Sequence, residues 1–313
     1  MKILLTGASG FLGSALARHW VDCGYDIWLL VRPTSILTGN DAISSYVHVI
    51  RFFDLEEIPA IIRDISPEVV VHTACSYGRR GETSLDILAA NFVFGAYLLQ
   101  GAMESHGSDT NPTTFINTGT ALSSKVSIYA HSKAQFSAWG KVLATQNPSL
   151  LRFIDIQLQQ MYGPNDDHSK FTTQVINACH RSEPSLALTA GNQRRDFIHI
   201  DDVVSAYERI LNCRSTFSTA DTIDVGSGST VKMREFVELA KYVSGAKTEL
   251  NFGAVPYRAD EAMLCVANTT RLRSLGWRPK VSLTEGLMNL FASLRRPEGP
   301  PFSQPAISDD NQL

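Results

Sequence analysis

The 313-residue chain is 44% hydrophobic and 19% charged, which suits one large α/β domain, or a domain with an added lobe, built round a substantial core. Its formal net charge of −3 and pI near 6.2 exclude a global attraction to nucleic acid or an anionic bilayer, so the expected partner is a small molecule, with no nucleic acid and no membrane. Five scattered cysteines, Cys23, Cys75, Cys179, Cys213 and Cys265, form no CxxC and are read as having no close histidine, which predicts reduced thiols, no metal and a cytoplasmic protein.

The opening run KILL predicts a strand over 2–6 that breaks at Thr6-Gly7, too short for a signal-peptide core. An amphipathic helix over 11–23 follows, then strands at 26–31 and 47–52, a helix at 56–64 and a strand at 68–73. A long helix near 84–106, a strand at 113–118, a helix over 129–146 and a strand at 152–158 continue the alternation. That rhythm predicts an α/β fold of Rossmann type, a doubly wound parallel sheet with right-handed crossovers. EVVVHTA and TTFINTG read as central strands covered on both faces. No stretch is read as approaching the ~20 apolar residues of a membrane helix.

Past residue 160 the rhythm loosens at YGPNDD, RSEPS, TAGNQ and VGSGST, which predicts a smaller interleaved substrate lobe. Residues 1–165 are expected to form the dinucleotide-binding part, with a return to it around 196–226, and 166–297 the lobe. Rich in Pro, Ser and Asp, 298–313 is expected to be a mobile tail. The stretch LDILAANFVFGAYLLQGAM is apolar almost all round and must be covered on a second side. Either a homodimer through this face and the 129–146 helix covers it, or the chain's own second lobe does.

Between the first strand and first helix stands TGASGFLG. Glycines there let backbone N–H groups approach an anion, and the helix N-terminus adds partial positive charge. Gly7 is expected to make the tight turn, Gly10 to admit a pyrophosphate and Gly13 to let the helix pack on the sheet. An acid about twenty positions further on would bond the adenosine ribose and select NAD. Val31 and Arg32 stand there instead, and a guanidinium suits a 2′-phosphate, so NADP(H) is preferred and NAD remains possible.

In YAHSK, Tyr129 and Lys133 lie four apart at the start of a helix and therefore on one face. A lysine ammonium and a nearby cationic nicotinamide would favour the phenolate of Tyr129. Of nine tyrosines only this one has a lysine four positions later.

TGxxGxxG and YxxxK together resemble the short-chain dehydrogenase/reductase superfamily in its extended form, the NAD-dependent epimerase/dehydratase family, over residues 1 to about 295. The resemblance implies a catalytic trio of Thr118, Tyr129 and Lys133, with Thr120 as the alternative hydroxyl. It implies cofactor contacts from Gly7, Ser9, Gly10, Phe11, Leu12, Gly13, Arg32, Asp54, Leu55, Thr73, Ala74 and Asn91, besides Tyr129 and Lys133. Sugar-nucleotide dehydratases of this frame carry an Asp-Glu pair after the hydroxyl; Gly119 and Thr120 here disfavour elimination.

RRDFIHIDDV is similar to the RDxxHVxD signature of enzymes acting on nucleotide sugars, which implies that Arg195 and Arg258 clamp the substrate's diphosphate. Asp201 and Asp202 are read as a cap for the helix VVSAYERIL, and His199 as a packed strand residue. Trp277 and Leu283 are expected to pack the last helix. CSYGRRGE and the segment from DDHSK to FIHI look like the CDP-paratose and CDP-abequose synthase branch, which would bring Tyr77, Arg79 and Arg80 near the sugar or nicotinamide. The implied activity is NADPH-dependent reduction of the C4 ketone of a nucleotide-linked deoxysugar resembling CDP-4-keto-3,6-dideoxyglucose. An NAD-dependent 4-epimerase, or a nucleotide-sensing regulator without chemistry, stays open at this point.

Overall fold

A computed structural model describes residues 1–37, 41–105, 111–258 and 260–295; the tail expected over 298–313 lies outside them. Six strands and four helices come first: β1 (Lys2–Thr6), α1 (Phe11–Asp22), β2 (Asp26–Val31), β3 (Val47–Arg51), α2 (Ile58–Ile65), β4 (Val69–His72), α3 (Ser84–Glu104), β5 (Thr113–Thr118), α4 (Ile128–Gln146) and β6 (Leu151–Leu158). Their limits fall within about two residues of those read from periodicity, since each strand is an apolar run bounded by turn residues. The second half adds β7 (Gln160–Tyr162), α5 (Phe171–His180), β8 (Ser185–Leu188), β9 (Arg194–Arg195), β10 (Phe197–His199), α6 (Ile200–Asn212) and β11 (Ala220–Val225). It closes with β12 (Val231–Lys232), α7 (Met233–Ser244), β13 (Glu249–Phe252), β14 (Leu264–Cys265), α8 (Thr270–Ser274) and α9 (Leu283–Leu294).

Seven strands form one sheet in the order β11-β6-β5-β4-β1-β2-β3, every neighbouring pair parallel. β1 stands between β2 and β4, so the strand order reverses beside the glycine turn, where an open α/β sheet forms its ligand crevice. The chain returns to this sheet through α6 and β11, the interleaving that the loosened rhythm predicts. One apolar layer joins Leu16, Trp20, Ile116, Val203, Tyr207 and Ile210; the opposite layer joins Ile62, Leu98, Phe115, Phe136 and Phe153. A third core of Val175, Phe197, Phe236, Val237 and Leu290 holds the smaller lobe.

Four expectations change. Ser84–Glu104 is one continuous helix of 21 residues, long and apolar enough by length and composition to cross a membrane, against the reading that no stretch approaches this. Phe94, Leu98, Leu99 and Ala102 of that helix are buried in the core of the sheet, which accounts for its apolarity on one side. Cys23 does have a histidine close by: His19 lies one helical turn before it, an i,i+4 relation that a search for CxxC passes over. Asp202 does not cap α6; that helix starts earlier, capped by His199, and Asp202 accepts the N–H groups of Lys280 (2.9 Å) and Val281 (3.0 Å). Trp277 likewise packs in the α1/α6 layer, its indole N–H on Ser205 Oγ at 2.9 Å, while Leu283 joins the lobe core beside α9.

Candidate functional site

A cleft of about 1530 Å³ runs from the glycine turn across the C-terminal ends of β1, β4 and β5 to the smaller lobe. At one end Gly7 holds φ +76°, and a Cβ there would stand 2.5 Å from Thr73 Oγ1 and 2.6 Å from the Ala74 nitrogen. A Cβ on Gly13 would stand 2.2 Å from the Gly7 carbonyl oxygen. Turn and helix thus touch backbone to backbone, which only glycine permits. Gly10, the N-cap of α1, brings no side chain to occupy the first-turn N–H groups, which stay open to an anion. Ser9, Phe11, Leu12, Leu55, Thr73 and Ala74 line the same end.

Arg32 lines the cleft just past β2 and is exposed, with no acid beside it. The turn that carries it is fixed by Arg51, whose guanidinium donates to the carbonyls of Arg32 (3.1 Å), Pro33 (3.0 Å) and Ser35 (3.1 Å). Sequence reasoning missed Arg51, because its partner is sheet register: Arg51 pairs Val31 across β2 and β3. Asp54 does not line the cleft, and its side chain is exposed.

Asn91 is also absent from the cleft wall. It sits fully buried in the π-wound turn Ala89–Val93 of α3, accepts the Ser76 N–H (2.7 Å), and donates to the Ser76 carbonyl (2.9 Å) and Ser132 Oγ (3.0 Å). Its amide therefore ties the loop after β4 to α4, and acts by positioning. That loop brings Cys75, Ser76, Tyr77, Arg79 and Arg80 to the cleft.

Tyr129 and Lys133 project from the first turns of α4, which Ser127 caps by accepting the Ala130 N–H at 3.2 Å. Thr120 and Tyr77 are the side chains that act on the Tyr129 phenol, and both line the cleft with it. The Tyr129 ring lies 4.8 Å from that of Tyr77, over which Arg79 stands at 5.0 Å. Burial pushes the Tyr129 phenol well above its ordinary value, and the nearby Cys75 pushes the same way. Thr120, the Arg79 charge and Tyr77 pull it back. In the protein alone burial outweighs the Arg79 charge; the lowered phenol expected from the sequence is one with the cationic nicotinamide beside it. Lys133 is 1% exposed, and its Nζ has no hydrogen-bond partner among the described residues. Burial lowers its pKa, against Cys75 and Asp155. A buried ammonium left unpaired costs several kcal/mol unless something else accepts its protons.

Thr118 and Thr120 both line the cleft with Tyr129; the Thr118 Oγ1 is held 2.8 Å from the buried hydroxyl of Tyr207 on α6, while Thr120, two residues on, acts on the phenol. The residues following Thr120 are Ala121 and Leu122, both lining the cleft and neither able to carry a proton. Gly119 has no room for an acid: its Cβ would stand 2.8 Å from Asp155 Oδ1 and 2.9 Å from the Ile156 carbonyl.

At the lobe end Arg195 and Arg258 both line the cleft. Arg195 is nearly buried and paired with Glu261, while Arg258 is exposed. Glu261, three positions after Arg258, went unremarked in the sequence. Arg80 is drawn to Asp167 at 2.8 Å, joining the loop after β4 to the loop before α5.

Donors at the glycine turn, a cradle that any Cβ would fill and an orphaned buried ammonium beside a phenol fit a nicotinamide dinucleotide. The profile of the NAD dependent epimerase/dehydratase family matches residues 3–226. The chain is 30% identical to CDP-abequose synthase of Salmonella muenchen over 299 residues, 93% of this chain and 97% of that protein. With CDP-abequose synthase of Salmonella typhimurium it shares 27% over 304 residues, 93% and 98% of the two chains. The fold matches the UDP-glucose 4-epimerase of Thermotoga maritima solved with UDP-glucose at a TM-score of 0.79 and 21% identity, covering 94% of this chain and 99% of that one.

Proposed function

The chain belongs to the NAD dependent epimerase/dehydratase family and is an NAD(P)-dependent enzyme of oxidoreductase type, and from that premise we propose that it reduces the C4 ketone of a nucleotide-linked 4-keto-deoxysugar, with NADPH as the preferred reductant. The observation that carries the reading is the buried, unpaired Lys133 Nζ one turn along α4 from Tyr129, in a cleft that also holds the glycine cradle. The substrate class rests on the two CDP-abequose synthases, the cofactor preference on Arg32 and the turn that Arg51 fixes.

The glycine cradle and Lys133 would hold a reduced nicotinamide dinucleotide, which would supply the hydride for the C4 carbonyl carbon. Tyr129 gives its phenolic proton to the carbonyl oxygen as the C–H bond forms, so ketone, hydride and proton become the alcohol. Thr120, which lines the cleft with Tyr129, holds the same oxygen, and a fixed donor at a developing alkoxide stabilises the transition state. Lys133 donates to the nicotinamide ribose and favours the phenolate left behind. Arg195 and Arg258 take the diphosphate.

Oxidation of NADPH on mixing with CDP-4-keto-3,6-dideoxyglucose tests this. Interconversion of C4 epimers by protein carrying its own NAD, with no external reductant, would establish the epimerase instead. Leu85, Leu88, Phe92, Trp139 and Val142 form an apolar strip on α3 and α4, with Leu85 74% and Trp139 49% exposed. We propose that a second copy covers it in a homodimer; a concentration-independent monomer in sedimentation would remove that proposal.

A further inference from the structure

Away from the cleft, three side chains of different chemistry converge where the end of α1 meets α6. His19 and Cys23, one helical turn apart, face Glu208 of α6, and one ligand atom from each lies within 4.8 Å of the others. His19 Nε2 stands 3.7 Å from Cys23 Sγ and 3.7 Å from Glu208 Oε2. The first is a hydrogen-bond contact to sulfur and the second an ion-pair contact when the imidazole is protonated, so the three groups already face one another without an ion. Both separations are close to the edge lengths, about 3.3–3.6 Å, of a tetrahedron with Zn–N, Zn–O and Zn–S bonds of ordinary length.

The carboxylate is already oriented. Glu208 Oε1 accepts from Tyr25 Oη at 2.8 Å and from Asn212 Nδ2 at 2.7 Å, and Oε2 accepts from Trp20 Nε1 at 2.8 Å. Trp20 is fully buried, so this frame belongs to the core. Hydrogen bonds of this kind to a ligating carboxylate are what tune and hold a metal. Cys23 is exposed, and the His19 side chain is 37% exposed, so an ion can reach the three atoms without the fold opening.

We propose that His19, Cys23 and Glu208 form a binding site for a borderline divalent cation, zinc by its N, S and O donors, with water in the fourth position. Cys23 binds as the thiolate and its proton goes to solvent. The site stands at the opposite end of α1 from the glycine turn, about 18 Å along the helix. It therefore pins α1 to α6 and touches neither cofactor nor substrate.

Cobalt(II) is the spectroscopic probe, added to the full-length reduced protein and then displaced by zinc. The expected result is a thiolate-to-cobalt charge-transfer band in the near ultraviolet that saturates at one equivalent and disappears on adding zinc. Cys23→Ser should abolish the band, and His19→Gln and Glu208→Gln should each weaken cobalt binding by about 10–100-fold. The zinc-dependent rise in melting temperature should vanish in Cys23→Ser, whose melting without metal should match the parent protein. A parent protein without the band, a band that survives Cys23→Ser, or affinity unchanged in both His19→Gln and Glu208→Gln would each overturn the assignment.

Discussion

The two ends of the cleft are built by different physics. At the glycine turn the ligand-facing groups are backbone N–H groups, held by the contact of Gly13 with the Gly7 carbonyl and needing no side-chain partner. At the lobe end they are guanidinium groups, and the more buried one, Arg195, is already engaged by Glu261. An anion at the first end meets first-turn N–H groups that no capping side chain takes. At the second it must compete with, or be added to, an existing ion pair. Tyr129 lines the same cleft, and replacing it is the largest perturbation available. Tyr129→Phe is expected to lower kcat by about 10²–10⁴-fold, the usual worth of a positioned proton donor. NADPH affinity, measured by fluorescence, should hold, because the cradle lies elsewhere; undiminished turnover would break the scheme.

The next test separates two hydroxyls on one strand end. Thr120→Val should cost about 10²–10³-fold in kcat, as loss of one donor at a developing oxyanion does. Thr118→Val should leave kcat within a few-fold and instead lower stability by about 1–3 kcal/mol, because the buried Tyr207 hydroxyl loses its partner. Chemical denaturation and steady-state rates on the same two proteins give the answer. A reversal of the pattern would return the catalytic role to Thr118.

That pair also marks how far the sequence could be read. The glycine turn was legible because its constraint is local: a strand, three glycines at fixed spacing and a helix define the cradle without any distant contact. Tyr129 and Lys133 were legible for the same reason, one helical face. Thr118 and Thr120 are two apart and lie on the same side of an extended chain, so spacing alone cannot choose between them. The choice is made by Tyr207, 89 positions later. Glu261, 66 positions from Arg195, and Arg51, placed by strand register, are hidden in the same way. Asn91 was legible as a residue of the site, but its contacts make it a brace for the loop after β4 and leave the cleft wall to others.

The lobe end can be sharpened by comparing its two arginines. Arg258→Ala should raise KM for the nucleotide sugar by about 10–100-fold, the worth of charge-assisted bonds to a diphosphate, with melting temperature unchanged because the side chain is exposed. Arg195→Ala should raise KM similarly and also lower the melting temperature, since Glu261 loses its partner in a partly buried setting. If both left KM unchanged, the diphosphate would not lie at this end.

The smallest effect is expected at the rim of the cradle, and it decides the cofactor. Arg32 is exposed, so its bond to a 2′-phosphate competes with water and salt and is worth about 1 kcal/mol. Arg32→Ala should therefore weaken NADPH by about fivefold, leave NADH untouched and lose its effect as ionic strength rises. Arg51→Met should do the same indirectly and by no more than that factor, because three carbonyls of the Arg32–Ser35 turn lose their common donor and the turn no longer presents Arg32 to the cleft. An NADPH-to-NADH preference that neither substitution moves would mean that the 2′-position is not read here, and the argument for the phosphorylated cofactor, which rests on this turn, would go with it.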